Sequence, residues 1–133
     1  MNLLKIITIL FVSISLVSSC KKDDATTTKT PIQLLKDGTW KLNNITVSGV
    51  PFIDSCEKDN TYVFGETKVT LNEGATKCNS SDPQTDELPY TLSSDGKTFN
   101  LDGDDSKVIE LSASKFIFEA TTTFGTFRTE LVK

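Results

Sequence analysis

Three cysteines, at positions 20, 56 and 78, carry the most evident covalent chemistry in a 133-residue sequence that contains no histidine. Without imidazole there is no His-ligated metal site, no histidine acid–base catalyst and no Ser-His-Asp triad. Cys56 and Cys78 could be free thiols, a disulfide or metal ligands, although two thiolates alone make an incomplete zinc site. Asp102-Gly103-Asp104-Asp105 offers oxygen ligands, yet it lacks the spaced donors and closing glutamate of a calcium loop and reads as a polar turn. Asp82, Asp86 and Glu87 read as solvating groups of a long loop, and no serine or cysteine has a base within reach of argument. No catalytic residue, metal or cofactor is therefore expected. What remains is non-covalent chemistry: Tyr62, Phe64, Tyr90, Phe99, Phe116, Phe118 and Phe127, with Phe52 and Ile53 in a loop, could surround a small apolar ligand or simply fill a core.

The formal net charge is −4, which argues against nucleic acid as a partner because a phosphate backbone demands a basic stripe. Residues 1–19 contain Lys5 and then a mostly apolar run, Ile6 to Val17, too short to span a bilayer and suited to a signal peptide. Val17-Ser18-Ser19-Cys20 resembles a bacterial lipobox. That resemblance implies cleavage before Cys20 and a lipid on it, hence a membrane partner; an ordinary cleaved signal with a spare thiol is the alternative. Lys21-Lys22-Asp23-Asp24 resembles the export signal of surface-exposed lipoproteins in some gram-negative bacteria, which implies an outer-membrane lipoprotein facing outward; a solvated spacer is its plainer reading. Residues 20–30 then form the lipidated N-terminus and a threonine-rich flexible tether, and residues 31–133 the folded domain.

The elements that position the aromatics follow from periodicity. Pro31 to Asp37 suits one or two helical turns, with proline at the start and Gly38 just past the end. Beyond it the period is two. Strands are expected at Thr39–Ser48, Thr61–Gly65, Thr67–Glu73, Leu88–Ser94, Lys97–Asp102, Lys107–Ser112, Lys115–Thr123 and Thr126–Val132, with no second helix to make a parallel crossover. Two-residue turns at Gly65-Glu66, Asp95-Gly96, Ala113-Ser114 and Phe124-Gly125 pair Tyr62 with Val69, Leu92 with Phe99, Tyr90 with Leu101, Leu111 with Phe116, Ile109 with Phe118, and Phe118 with Leu131. Leu71 and Phe127 complete this apolar face, while Glu119 is left opposite Glu130. In the first strand Trp40 and Leu42 share one parity and Ile45 and Val47 the other, as a bulge would produce. Eight antiparallel strands, each apolar on one face, bury it most simply as an eight-stranded up-and-down barrel; a two-sheet sandwich is the alternative.

A short helix followed by Gly38-Thr39-Trp40 opening the first of eight strands resembles a lipocalin-like barrel. The pattern G-x-W matches Gly38 and Trp40, and Cys56-Glu57-Lys58-Asp59-Asn60 is similar to a segment of small secreted bacterial lipocalin-like domains. The resemblance covers about Ile32 to Lys133; it implies that Arg128, the family's arginine, packs over Trp40, and that the barrel binds a ligand. The domain is shorter than the larger lipocalins and lacks their long C-terminal helix.

With Cys20 set aside for lipid, parity leaves Cys56 and Cys78 as a pair at the open end of one hairpin, where a disulfide would stabilise by about 3 kcal/mol. In an up-and-down barrel the loops 49–60 and 74–87 share that end, which becomes the mouth. Two functional readings follow. In one, a small hydrophobic ligand sits in the barrel against the inward aromatics and the Phe52-Ile53 loop. In the other, the barrel is a filled scaffold whose outer loops contact a protein or glycan at the cell surface. An apolar cavity of roughly 300 Å³ or more favours the first, and a filled lumen the second.

Overall fold

The computed structural model describes residues 28–133; the expected signal peptide, the expected lipidation at Cys20 and most of the expected tether lie outside the described residues. The helix α1 spans Pro31–Lys36. Its N-terminus is closed by a capping box, in which the Gln33 N–H donates to Thr30 Oγ1 and the Thr30 N–H donates to Gln33 Oε1. Leu35 from this helix is fully buried.

Nine strands follow: β1 Thr39–Val47, β2 Val50–Pro51, β3 Thr61–Phe64, β4 Lys68–Asn72, β5 Thr85–Leu92, β6 Thr98–Leu101, β7 Asp104–Leu111, β8 Lys115–Thr122 and β9 Gly125–Val132. All neighbours are antiparallel, and β1 pairs with both β3 and β9, so the sheet closes on itself. The sandwich alternative is thereby excluded. β2 is a two-residue hairpin arm on β1 that the alternation of side chains did not signal. The other eight strands form the closed barrel. β5 and β7 each start earlier than periodicity suggested: β5 begins at Thr85, paired with Asn72 of β4, and β7 begins at Asp104 because Asp102 and Gly103, both at positive φ, make a tight two-residue turn.

Registers decide which side chains enter the barrel. Tyr90 faces Leu101 and Leu92 faces Phe99, as expected. Tyr62 instead faces Leu71 while Phe64 faces Val69, and Phe116 rather than Phe118 faces Leu131. Both shifts move the partner by two residues, so the same side chains still point inward. The shift between β8 and β9 also removes the expected Glu119–Glu130 clash, since Glu119 now faces Arg128 and accepts from its Nη1 at 2.7 Å. One expectation fails on parity. Between β7 and β8, Leu111 faces Phe116 but Val108, not Ile109, faces Phe118; the irregularity between Val108 and Glu110 leaves Ile109 exposed. The bulge expected in β1 is present between Leu42 and Asn44, and it keeps Ile45 and Val47 opposite Thr129 and Phe127.

The core is built from Leu35, Trp40, Leu42, Phe64, Val69, Tyr90, Phe99, Phe116 and Leu131. At the helix end Trp40 donates its Nε1–H to the Leu35 carbonyl at 2.7 Å, which satisfies the one polar atom of a fully buried indole. The cation over the indole is Lys133 Nζ, 4.1 Å from the ring. Arg128 is thus displaced from the role that resemblance implied. It sits opposite Thr46, several residues along the barrel wall, where its partner is Glu119.

Candidate functional site

The end of the barrel opposite α1 is formed by the connections β2–β3, β4–β5, β6–β7 and β8–β9, and the β2–β3 and β4–β5 loops carry Cys56 and Cys78. These two are disulfide-bonded, with Cα atoms 5.1 Å apart. The Asp59 carboxylate reinforces the link by accepting from the Ala75 and Thr76 amides at 2.7 and 3.3 Å. Asn60, itself buried, accepts the Gly74 N–H through its side chain and the Leu42 N–H through its carbonyl. Gln84 donates to the Glu73 and Gly74 carbonyls. The acidic and amide residues of the Cys-x-x-Asp-Asn segment therefore brace one mouth loop against the other, a role that the sequence hinted at only through their adjacency to Cys56.

Below the mouth the lumen is closed by aromatic rings. Phe64, Phe99 and Phe116 meet edge-on at centroid separations of 5.2 to 6.2 Å, Tyr90 stands 5.1 Å from Phe64, and Phe118 lies 4.9 Å from Phe99. Such pairs each contribute roughly 0.5–1.5 kcal/mol beyond the area they bury. The void left among Tyr62, Phe64, Val69, Phe99, Leu101, Phe118 and Leu131 is about 10 Å³, room for about one water. The larger concavities, of about 460 and 500 Å³, are shallow grooves on the outer wall, one beside Pro31, Leu34 and Val108 and one beside Ile32, Pro89 and Leu92.

The aromatics singled out from sequence thus divide by height. Phe64, Tyr90, Phe99 and Phe116 are buried floor residues, and Tyr62 and Phe118 pack partly buried above them. Burial, aided by the negative charge of Glu57, pushes the Tyr62 hydroxyl up to about 12. Burial also raises Tyr90, whose hydroxyl donates to the Gly65 carbonyl at 2.6 Å. Ile53 packs against the core from the mouth loop. Phe52 stands edge-on to Phe127 at 6.2 Å and is 65% exposed. Sequence reasoning missed Phe124, treated there as half of a turn; at the tip of the β8–β9 hairpin it is 86% exposed. Gly38, at φ 83°, lets the chain turn from α1 into β1 and bring Trp40 under the helix. Among the described residues no group of three or more Cys, Asp or Glu side chains is arranged to hold a metal ion.

The family model for the lipocalin-like domain matches residues 37–118. No curated protein matches the chain.

Proposed function

The chain belongs to the lipocalin-like domain family, and from that premise we propose that it is a membrane-anchored binding module whose recognition surface is the mouth of the barrel rather than its depth. Lipocalin-like barrels are in general binding folds rather than enzymes, and this one fits that description. The observation that carries the choice of surface is the packed lumen: a void of about 10 Å³ falls far below the roughly 300 Å³ of ordinary small-molecule sites. Apolar contact is instead on offer at the rim, where Phe52 leans on Phe127 and Ile53 covers the opening. The anchoring half of the proposal rests on the lipobox-like Val17-Ser18-Ser19-Cys20, and the outward-facing, outer-membrane location on Lys21-Lys22-Asp23-Asp24.

A second reading, a small hydrophobic ligand within the barrel, is favoured by the wholly apolar and aromatic lining of the void. It requires Tyr62, Phe118 and Ile53 to swing aside. Native mass spectrometry of the protein purified from its own host separates the two. The expected spectrum shows acyl mass on Cys20, one disulfide, and any retained ligand lost from a Phe52→Ser variant but kept by Val69→Ile, which fills the void. Retention by Phe52→Ser and loss from Val69→Ile would instead establish the lumen as the site. An unacylated Cys20 would remove the anchor.

A further inference from the structure

We propose that the rim recognises a cationic amphipathic peptide segment, its apolar side chains against Val50, Phe52 and Phe124 and its basic side chains against the carboxylates of the neighbouring turns. This inference deepens the reading of the mouth as the recognition surface and rests on it.

The apolar half of the rim is assembled from two hairpins held side by side. Val47 pairs with Val50 in one and with Phe127 in the other, and the Ser48 N–H donates to the Thr126 carbonyl at 2.8 Å. Val50, Phe52 and Phe124 are 66%, 65% and 86% exposed, so the most exposed large apolar groups among the described residues all belong to the mouth end, whereas Val63 and Ile109 are less exposed and stand on the wall. The other half of the rim is acidic. The β6–β7 turn and the start of β7 place Asp102, Asp104 and Asp105 there without a lysine; the β4–β5 loop adds Asp82, whose carbonyl accepts from Lys77 Nζ at 2.7 Å, and Asp86 stands just inside β5. None of these five carboxylates forms an ion pair with a described residue. Five lysines, Lys29, Lys36, Lys97, Lys115 and Lys133, lie at the opposite end with the helix, from which the chain leads back towards Cys20, against Lys58 and Lys77 in the mouth loops.

Charge complementarity selects the occupant. An anionic bilayer is repelled by this rim, and the tether leaves from the other end. A second copy docked rim to rim would set acidic turn against acidic turn, and the lysine-bearing end that a head-to-tail copy would offer is the end from which the tether leaves. A segment carrying lysine or arginine beside apolar side chains satisfies both halves together, with carboxylates that accept only neutral donors, as Asp105 does from Asn100, available for charge-assisted hydrogen bonds.

The test uses the full-length chain in zwitterionic nanodiscs, with empty nanodiscs as the blank, and measures fluorescence anisotropy of labelled Leu/Lys and Leu/Glu amphipathic peptides at low and high salt. The Leu/Lys peptide is expected to bind, and the Leu/Glu peptide is not. Phe52→Ser with Phe124→Ser, and separately Asp102→Asn with Asp104→Asn and Asp105→Asn, should each weaken binding about tenfold, the second set also flattening the salt dependence. The equal-charge control Glu66→Gln, Asp95→Asn and Glu110→Gln, away from the rim, should leave it unchanged. All these side chains are exposed, and unchanged thermal midpoints confirm that the variants fold. Equal binding of both peptides, with loss on Phe52→Ser and Phe124→Ser, would overturn the cationic partner while sparing the mouth as a surface. Binding that ignores Phe52 and Phe124, or follows net charge through the control set, would overturn both. Self-association through the rim, or tighter docking onto anionic than zwitterionic vesicles, would likewise replace the peptide with a second copy or a bilayer.

Discussion

Trp40 is the single tryptophan in the chain, and two neighbours determine its environment. The Leu35 carbonyl accepts its indole proton and Lys133 lies over its ring. Trp40→Phe leaves that carbonyl without its partner and opens space in a closed core, so a loss of about 2–3 kcal/mol in denaturant unfolding is expected. Lys133→Met keeps the aliphatic stem and removes the charge together with its hydrogen bond to the Leu34 carbonyl; a loss of about 1 kcal/mol, together with a changed tryptophan emission, should follow. Arg128→Met should leave the emission unchanged, which distinguishes the observed cation from the one that family resemblance implied. Tyr62 makes a prediction of opposite character. Its hydroxyl ionises at about 12 in the barrel but near 10 when unfolded. Below pH 10 both states are protonated and the stabilisation is intact. Above it the unfolded chain releases its proton first, so stability should fall between about pH 10 and 12, by roughly 3 kcal/mol over the full interval. Denaturant midpoints on either side of about pH 10 would show this, and Tyr62→Phe should flatten the fall, leaving the smaller slope due to Tyr90.

Strands test their register through residues that change face when the ladder slips. Val108 and Ile109 are adjacent and both apolar, yet the β7 irregularity turns Val108 inward opposite Phe118 and leaves Ile109 in solvent. Val108→Asp should therefore cost about 2–3 kcal/mol and Ile109→Asp no more than about 0.5, measured by urea unfolding; a straight ladder predicts the reverse order. The same pair shows where sequence reading stops. Alternation revealed the inward parity of seven strands and the bulge in β1, because Trp40, Leu42, Ile45 and Val47 change phase across it. It could not reveal the slip in β7, where either of two apolar neighbours could have faced inward. Nor could it separate registers that differ by two residues, since Tyr62 faces an apolar partner whether paired with Val69 or Leu71. In β8–β9 the choice is made by charge: one register sets Glu119 against Glu130, the other against Arg128 at 2.7 Å. Because that pair is partly exposed, Arg128→Ala should cost about 1 kcal/mol or less, while Arg128→Glu, which restores like charges, should cost more.

At the scale of the molecule, the floor and the mouth are held by different means. Cross-strand ladders and interlocked rings make the floor, and neither includes Cys56 or Cys78. The mouth is tied across its two long loops by the disulfide and by Asp59 and Asn60, while Gln84 braces the β4–β5 loop from within. Cysteine parity made this link readable in the sequence, whereas the packed lumen was not readable, since the same aromatics could equally have lined a cavity; only their mutual distances show that they meet. Reducing the bond releases a closed loop with a sequence separation of 22 residues, which the chain-entropy argument values at about 3 kcal/mol and which should lower the thermal midpoint by on the order of 10 °C. The loss should also be local before it is global. Hydrogen exchange after mild reduction should quicken at residues 53–60 and 73–84, while amides around Phe99 and Phe116 exchange only on the slower timescale of whole-barrel opening. Uniform acceleration across the floor would mean that the disulfide supports the entire ladder, and that the mouth is not a separately stabilised element on which binding could act.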